Sequence, residues 1–138
     1  MKAGMVLDSS IALSWCFEDE ASPSTDALLD RLRDEGGLAP GLWSWEIANV
    51  LTFAVVRARI TPAEAQARLT QLQLLPILID PEAVDRAWRE TFALAQAHKL
   101  TAYDAAYLEL AVRSGLPLAT KDSDLRAAAA TIGVKVLP

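Results

Sequence analysis

Gly4-Met5-Val6-Leu7-Asp8-Ser9-Ser10 is the stretch on which the fold turns: a short apolar run that stops at an aspartate and passes at once into helix-compatible residues. A run of that length, bounded in that way, reads as a strand buried on both faces. The same pattern returns at Leu38 to Pro40, Pro76 to Ile79, Leu116 to Ala119 and Val134 to Leu137. Helical segments fill the gaps. Strand and helix therefore alternate, and parallel neighbours need crossover connections, so the pattern predicts an α/β fold with three layers: a central parallel sheet of about five strands flanked by helices.

The helix punctuation agrees. Thr61-Pro62-Ala63-Glu64 supplies an N-cap, a proline at the first helical position and a capping-box glutamate, predicting a helix to about Leu74. Asp80-Pro81-Glu82 repeats the scheme, with Val84, Ala87, Trp88, Phe92 and Ala95 at helical spacing as far as His98. Ser114-Gly115 and Gly133 sit where left-handed C-terminal caps belong. Glu46 to Ile60 is apolar around most of its circumference, which predicts a helix buried on several sides or packed on another subunit.

The chain has 138 residues, the size of one domain, and residues 1–138 show no repeat, linker or low-complexity tract. With 52% hydrophobic and 22% charged residues, disorder is excluded. Cys16 is the single cysteine, which rules out an intramolecular disulfide and a cysteine-based zinc site, and fits a reducing compartment. The apolar run at the N-terminus is far shorter than a secretory signal or a membrane span, so a cytoplasmic protein with no membrane partner is expected. A net charge of −5 argues at first against a nucleic-acid partner. Carboxylates gathered on divalent cations reverse the local sign, however, and such a site accepts a phosphodiester.

Open α/β sheets bind their ligands at the carboxyl edge. Asp8 leaves the first strand there, and Asp122 follows Pro117-Leu118-Ala119-Thr120 at the exit of the fourth, with Asp124 two residues on. Glu46 in Trp45-Glu46-Ile47-Ala48-Asn49 and Asp104 in Thr101-Ala102-Tyr103-Asp104-Ala105-Ala106 each begin a long helix after the chain has crossed that edge. Four acids at one edge repel unless cations hold them. Hard oxygen ligands suit Mg²⁺ or Mn²⁺, which keep waters and recruit phosphate oxygens, and the chain offers no evident nucleophilic side chain.

Val6-Leu7-Asp8-Ser9-Ser10, Trp45-Glu46-Ile47-Ala48-Asn49, Thr101-Ala102-Tyr103-Asp104-Ala105-Ala106-Tyr107 and Ala119-Thr120-Lys121-Asp122, in that order, resemble the PIN domain, above all the toxins of toxin and antitoxin pairs. The resemblance spans essentially the whole chain. It implies a parallel sheet in the order 3-2-1-4-5, a homodimer, and a pocket of Asp8, Glu46, Asp104 and Asp122 that binds one or two Mg²⁺ or Mn²⁺ ions and cleaves RNA as an endoribonuclease. Ser9, Asn49, Thr120 and Asp124 would then be supporting residues. A toxin implies an antitoxin partner, typically a small DNA-binding protein whose C-terminal segment lies across the toxin's groove; the apolar face from Leu42 to Val56 is the expected place for subunit or partner contacts.

Other readings compete. Each acid alone is an ordinary helix cap or first-turn residue; that explanation does not place four of them at one edge, whereas Asp34 and Glu35 at the opposite edge are plain solvated charges. Trp15, Trp43, Trp45 and Trp88 are expected as core or interface anchors, not RNA-stacking platforms. His98 is expected to serve a helix dipole and Cys16 to act as a small buried hydrophobe. Arg57, Arg59, Arg113 and Arg126 read as surface charge, and Lys121 beside Asp122 is the best candidate to meet substrate phosphate.

A phosphate-accepting receiver domain would use Asp80 and Thr120 but needs an acidic pair after the first strand, where this chain has Asp8 alone. An aspartate-nucleophile phosphatase needs a second aspartate two residues after Asp8, and Ser10 stands there. The runner-up is a catalytically inactive PIN-like module that binds protein or RNA. Clustered carboxylates destabilise a fold unless metal or protons relieve them, which disfavours that module.

Overall fold

The computed structural model describes residues 3–138. Strand β1 (Met5–Leu7) leads into α1 (Ser9–Ser14), and α2 (Pro23–Glu35) returns the chain to β2 (Gly37–Pro40). Helices α3 (Leu42–Val56) and α4 (Pro62–Gln73) precede β3 (Ile77–Asp80). Then come α5 (Ala83–Arg86), a π-helical turn (Ala87–Thr91), α6 (Phe92–His98), α7 (Ala102–Ser114), β4 (Leu118–Ala119), α8 (Ser123–Thr131) and β5 (Val136–Leu137). The five strands form one sheet in the order β3-β2-β1-β4-β5, parallel at every pairing. The strand order therefore reverses between β1 and β4, the kind of switch point beyond whose carboxyl ends open α/β sheets bind their ligands.

The hydrophobic run of β1 is fully buried at Met5, Val6 and Leu7, as a central strand covered on both faces requires. Helix α7 is the other pillar: Ala105 through Ala111 are all buried, and the helix packs on β1, β2 and β4. Its alanines let it approach the sheet closely, while Tyr107, Leu108 and Leu110 fill the space between. The helix ends are set as read from sequence. Thr61 and Glu64 form a reciprocal capping box, and Gly115 and Gly133 take the left-handed conformation at φ of 70° and 78°.

Several expectations fail, each for a local reason. The apolar helix runs Leu42–Val56 rather than Glu46 to Ile60, because it starts directly off the end of β2 through Gly41; Glu46 thus lies in its second turn. Asp80-Pro81-Glu82 does not cap a helix. Asp80 remains in β3, where the Arg113 guanidinium holds its carboxylate at 2.7 and 3.2 Å, and α5 starts after Glu82 without a side-chain cap. The single helix expected as far as His98 is interrupted by the π turn, and its apolar stripe faces outward, with Val84, Trp88 and Phe92 exposed. The tryptophans divide. Trp43 is buried and half-buried Trp15 donates its Nε1–H to the Thr25 carbonyl at 2.8 Å, but Trp45 and Trp88 are 80% and 82% exposed in the single chain.

Candidate active site

Asp8 stands at the N-cap position of α1 yet makes no capping hydrogen bond. Its buried carboxylate instead accepts Thr120 Oγ1–H at 2.6 Å and Ser10 Oγ–H at 2.8 Å, both on Oδ2. Asp8 leaves β1, Thr120 leaves β4 and Ser10 lies in the first turn of α1, so the two adjacent strand ends and the helix start are laced together through one carboxylate oxygen. The hydroxyls are held in turn: Thr120 Oγ1 accepts the Asp122 backbone N–H at 3.1 Å, and Ser10 Oγ accepts that of Lys121 at 3.0 Å. Oδ1 is left with Ser9 Oγ at 3.4 Å, at the far limit of a hydrogen bond.

Glu46 shows the same one-sided pattern. Its Oε1 accepts Tyr107 O–H at 2.5 Å and Ser9 Oγ–H at 3.1 Å. Ser9 carries one proton, and the shorter approach directs it to Glu46 rather than Asp8. Asp122 caps α8 by accepting the Leu125 N–H on Oδ1 at 2.8 Å. Asp104 occupies the first turn of α7, whose N-cap Thr101 accepts the Asp104 N–H at 3.1 Å. The capping explanation therefore accounts for one oxygen of Asp122 and does not account for Asp8 at all.

The four acids share one electrostatic environment. Burial raises the Asp104 carboxyl to about 6, helped by repulsion from Asp122, Asp8 and Glu46. Burial also raises Asp8, against the opposing hydrogen bonds from Thr120 and Ser10, with repulsion from Asp122 a further contribution. Glu46 is raised by burial and by Asp8, while the Tyr107 hydroxyl works the other way. Among the described residues, none of the ion pairs involves any of these four acids. Basic side chains thus leave the repulsion unrelieved, as a cation-binding pocket requires.

Among the described residues no three acidic, histidine or cysteine side chains come close enough to close on one ion directly. The donor set still fits Mg²⁺ or Mn²⁺: it is all oxygen, it is negatively charged, and such ions keep several waters between themselves and their carboxylates.

The other sequence candidates divide. Ser9 and Thr120 take part in the hydroxyl lacing. Asn49 and Asp124 are exposed, one turn beyond Glu46 and in the first turn of α8. Lys121 contributes its backbone N–H to Ser10, and its side chain is exposed at the rim. Two residues escaped the sequence reading. Ser10 and Tyr107 both hold acids of the site, and their only signal was position, one at i+2 from Asp8 and one at i+3 from Asp104 on the same helical face. The receiver alternative loses its phosphate acceptor, because Asp80 is bound by Arg113 and Thr120 is committed to Asp8.

The fold and the edge together define a class: an open parallel α/β protein whose topological switch point carries an acidic, oxygen-only pocket. The chain belongs to the PIN domain family, whose model matches residues 5–130, and within that family it groups with the VapC ribonucleases. It is 34% identical to Ribonuclease VapC1 of Mycobacterium tuberculosis over 103 residues, 70% of this chain and 71% of the relative. Ribonuclease VapC3 of Pyrobaculum aerophilum is 28% identical over 121 residues, 88% and 91% of the two chains. The crystal structure of PAE2754 from Pyrobaculum aerophilum superposes with a TM-score of 0.71 at 26% identity, covering 99% of this chain and 92% of the other. That of FitAcB from Neisseria gonorrhoeae gives 0.68 at 18% identity, covering 97% and 96%, a likeness of fold alone.

Proposed function

We propose that the chain is a divalent-metal-dependent endoribonuclease, the toxin of a toxin and antitoxin pair, acting in the cytoplasm as one domain over residues 1–138. The relatives named as ribonucleases support the activity. The observation that carries the metal dependence is the asymmetry of the two most enclosed acids. Donors crowd onto Asp8 Oδ2 and Glu46 Oε1, and the second oxygen of each is spared for a cation.

Asp8, Glu46, Asp104 and Asp122 are the groups that would hold one or two Mg²⁺ or Mn²⁺ ions. A bound ion of this kind supplies Lewis acidity at a phosphate oxygen and lowers the pKa of a bound water. Ser10, Thr120, Ser9 and Tyr107 would oppose the effect of burial on these carboxylates and fix their orientation, because hydrogen bonds donated to a carboxylate favour its charged form. Exposed Lys121, next to Asp122, would meet an incoming phosphate, and no side-chain nucleophile would be needed.

We also propose a homodimer. Trp45 and Val56 on α3, with Val84, Trp88 and Phe92 on the outward stripe, are large apolar side chains exposed in the single chain, which supports their being covered by a second copy. The antitoxin is the remaining expected partner.

The test is RNA cleavage by wild type, Asp8→Asn and Asp104→Asn with Mg²⁺, Mn²⁺ or EDTA. Cleavage that needs metal and is lost in both variants supports the nuclease. No cleavage of structured or single-stranded RNA, together with no Mn²⁺ binding by calorimetry, overturns it in favour of the binding module.

A further inference from the structure

Resting on the metal-dependent reading, we infer that Tyr107 is a positioning residue for the site: its hydroxyl holds Oε1 of the Glu46 carboxylate, so that Oε2 would be the oxygen left to a cation. Tyr107 is fully enclosed in α7, three residues after Asp104 and on the same helical face, and its O–H···O distance to Glu46 Oε1 is 2.5 Å. That distance is typical of a hydroxyl donating to an ionised carboxylate.

The terminal torsion of a glutamate is soft, so an unheld carboxylate samples a broad range of rotations. Here two donors from two helices, Ser9 on α1 and Tyr107 on α7, converge on the same oxygen and restrict that rotation. Glu46 needs this support more than the other acids do. Asp8 is short and is fixed by Thr120 and Ser10, Asp122 is fixed by its own helix cap, and Asp104 is placed by the first turn of α7. Glu46 alone projects from the second turn of a helix on a longer stem. Helix α7 would thus contribute to the ion twice, through the Asp104 carboxylate and through the orientation of Glu46.

A merely structural role is the competing explanation, since a buried phenol needs an acceptor wherever it lies. The two are separated by titrating Mn²⁺ calorimetrically into wild type, Tyr107→Phe, Glu46→Gln and the double variant, with the melting temperature of each metal-free protein recorded. Positioning predicts that Tyr107→Phe weakens Mn²⁺ about tenfold, the effect expected on losing a partner that orients a ligand. It also predicts no further loss when Tyr107→Phe is added to Glu46→Gln. An unchanged affinity in Tyr107→Phe, or an equal loss in both backgrounds, overturns the role while leaving the metal-dependent nuclease intact. Wild type that binds no Mn²⁺ overturns both. Should Tyr107→Phe not fold, Ser9→Ala removes the other donor from Oε1; weaker Mn²⁺ binding there supports the locking of that oxygen, and unchanged binding overturns it.

Discussion

Replacing Asp104 by asparagine should stabilise the metal-free protein at neutral pH. Asp104 titrates at about 6 in the fold against an ordinary 3.8, because burial and three neighbouring acids disfavour its charge. Each pH unit of displacement is worth about 1.4 kcal/mol, so the ionised group costs about 3 kcal/mol before screening. The carboxyl is only half-buried, and solvent screening halves that to about 1.5 kcal/mol. Asparagine forfeits the favourable negative charge in the first turn of α7, about 0.5 kcal/mol, which leaves a net gain of about 1 kcal/mol. For a chain of this size that is roughly 3–4 °C in melting temperature.

The pH dependence has a definite sign. A carboxyl raised in the fold binds more protons there than in the unfolded chain between its two pKa values, so this contribution falls as pH rises from about 4 to 6 and stays lost above. The advantage of Asp104→Asn should therefore be full at pH 7.5 and vanish by about pH 4. Thermal melts in EDTA across that range are the assay. Saturating Mn²⁺ should reverse the order, since an ion bound by the native state stabilises wild type by mass action and the variant less. An Asp104→Asn protein that melts below wild type in EDTA at pH 7.5 would refute the shared repulsion on which the site rests.

Other outcomes follow from single contacts. Arg113 holds Glu109, which is only 4% exposed, at 2.8 and 3.1 Å while also binding Asp80; Arg113→Ala should lower stability by about 3 kcal/mol, read from the urea midpoint. Thr91 is 2% exposed with no partner for its hydroxyl, so Thr91→Val should be neutral or stabilising by up to about 1 kcal/mol in the same assay; a loss above 1 kcal/mol would mean the hydroxyl is bonded after all. Trp88→Glu should shift the light-scattering mass from dimer to monomer at micromolar concentration without lowering the monomer's helical signal, and an unchanged mass would put the subunit contact elsewhere. Mn²⁺ affinity should weaken as pH falls below about 6, where a proton competes with the ion for the Asp104 carboxylate; an affinity unchanged between about pH 7 and 4.5 would exclude that carboxylate from ion binding.

The sequence by itself determined the class of fold and the edge at which the acids gather. Strand runs such as Met5 to Leu7 bury both faces and so cannot alternate, the capping box at Thr61 is a local bond pattern, and the glycines at 115 and 133 are local backbone requirements. All of these are short-range and legible in a window of a few residues.

What only the tertiary structure decided is where long-range partners override the local pattern. Asp80-Pro81-Glu82 has a helix-start sequence, but Arg113, distant in the chain, takes the Asp80 carboxylate and keeps it in the strand. The apolar stripe of Val84, Trp88 and Phe92 has the period of a core-facing helix; periodicity records that a face is apolar and not what covers it, and in the single chain it lies open. The choice of oxygens was also hidden. Nothing local to Glu46 foretells a phenol 61 residues away on the same oxygen as Ser9, because that meeting exists only once α1, α3 and α7 converge on the switch point between β1 and β4.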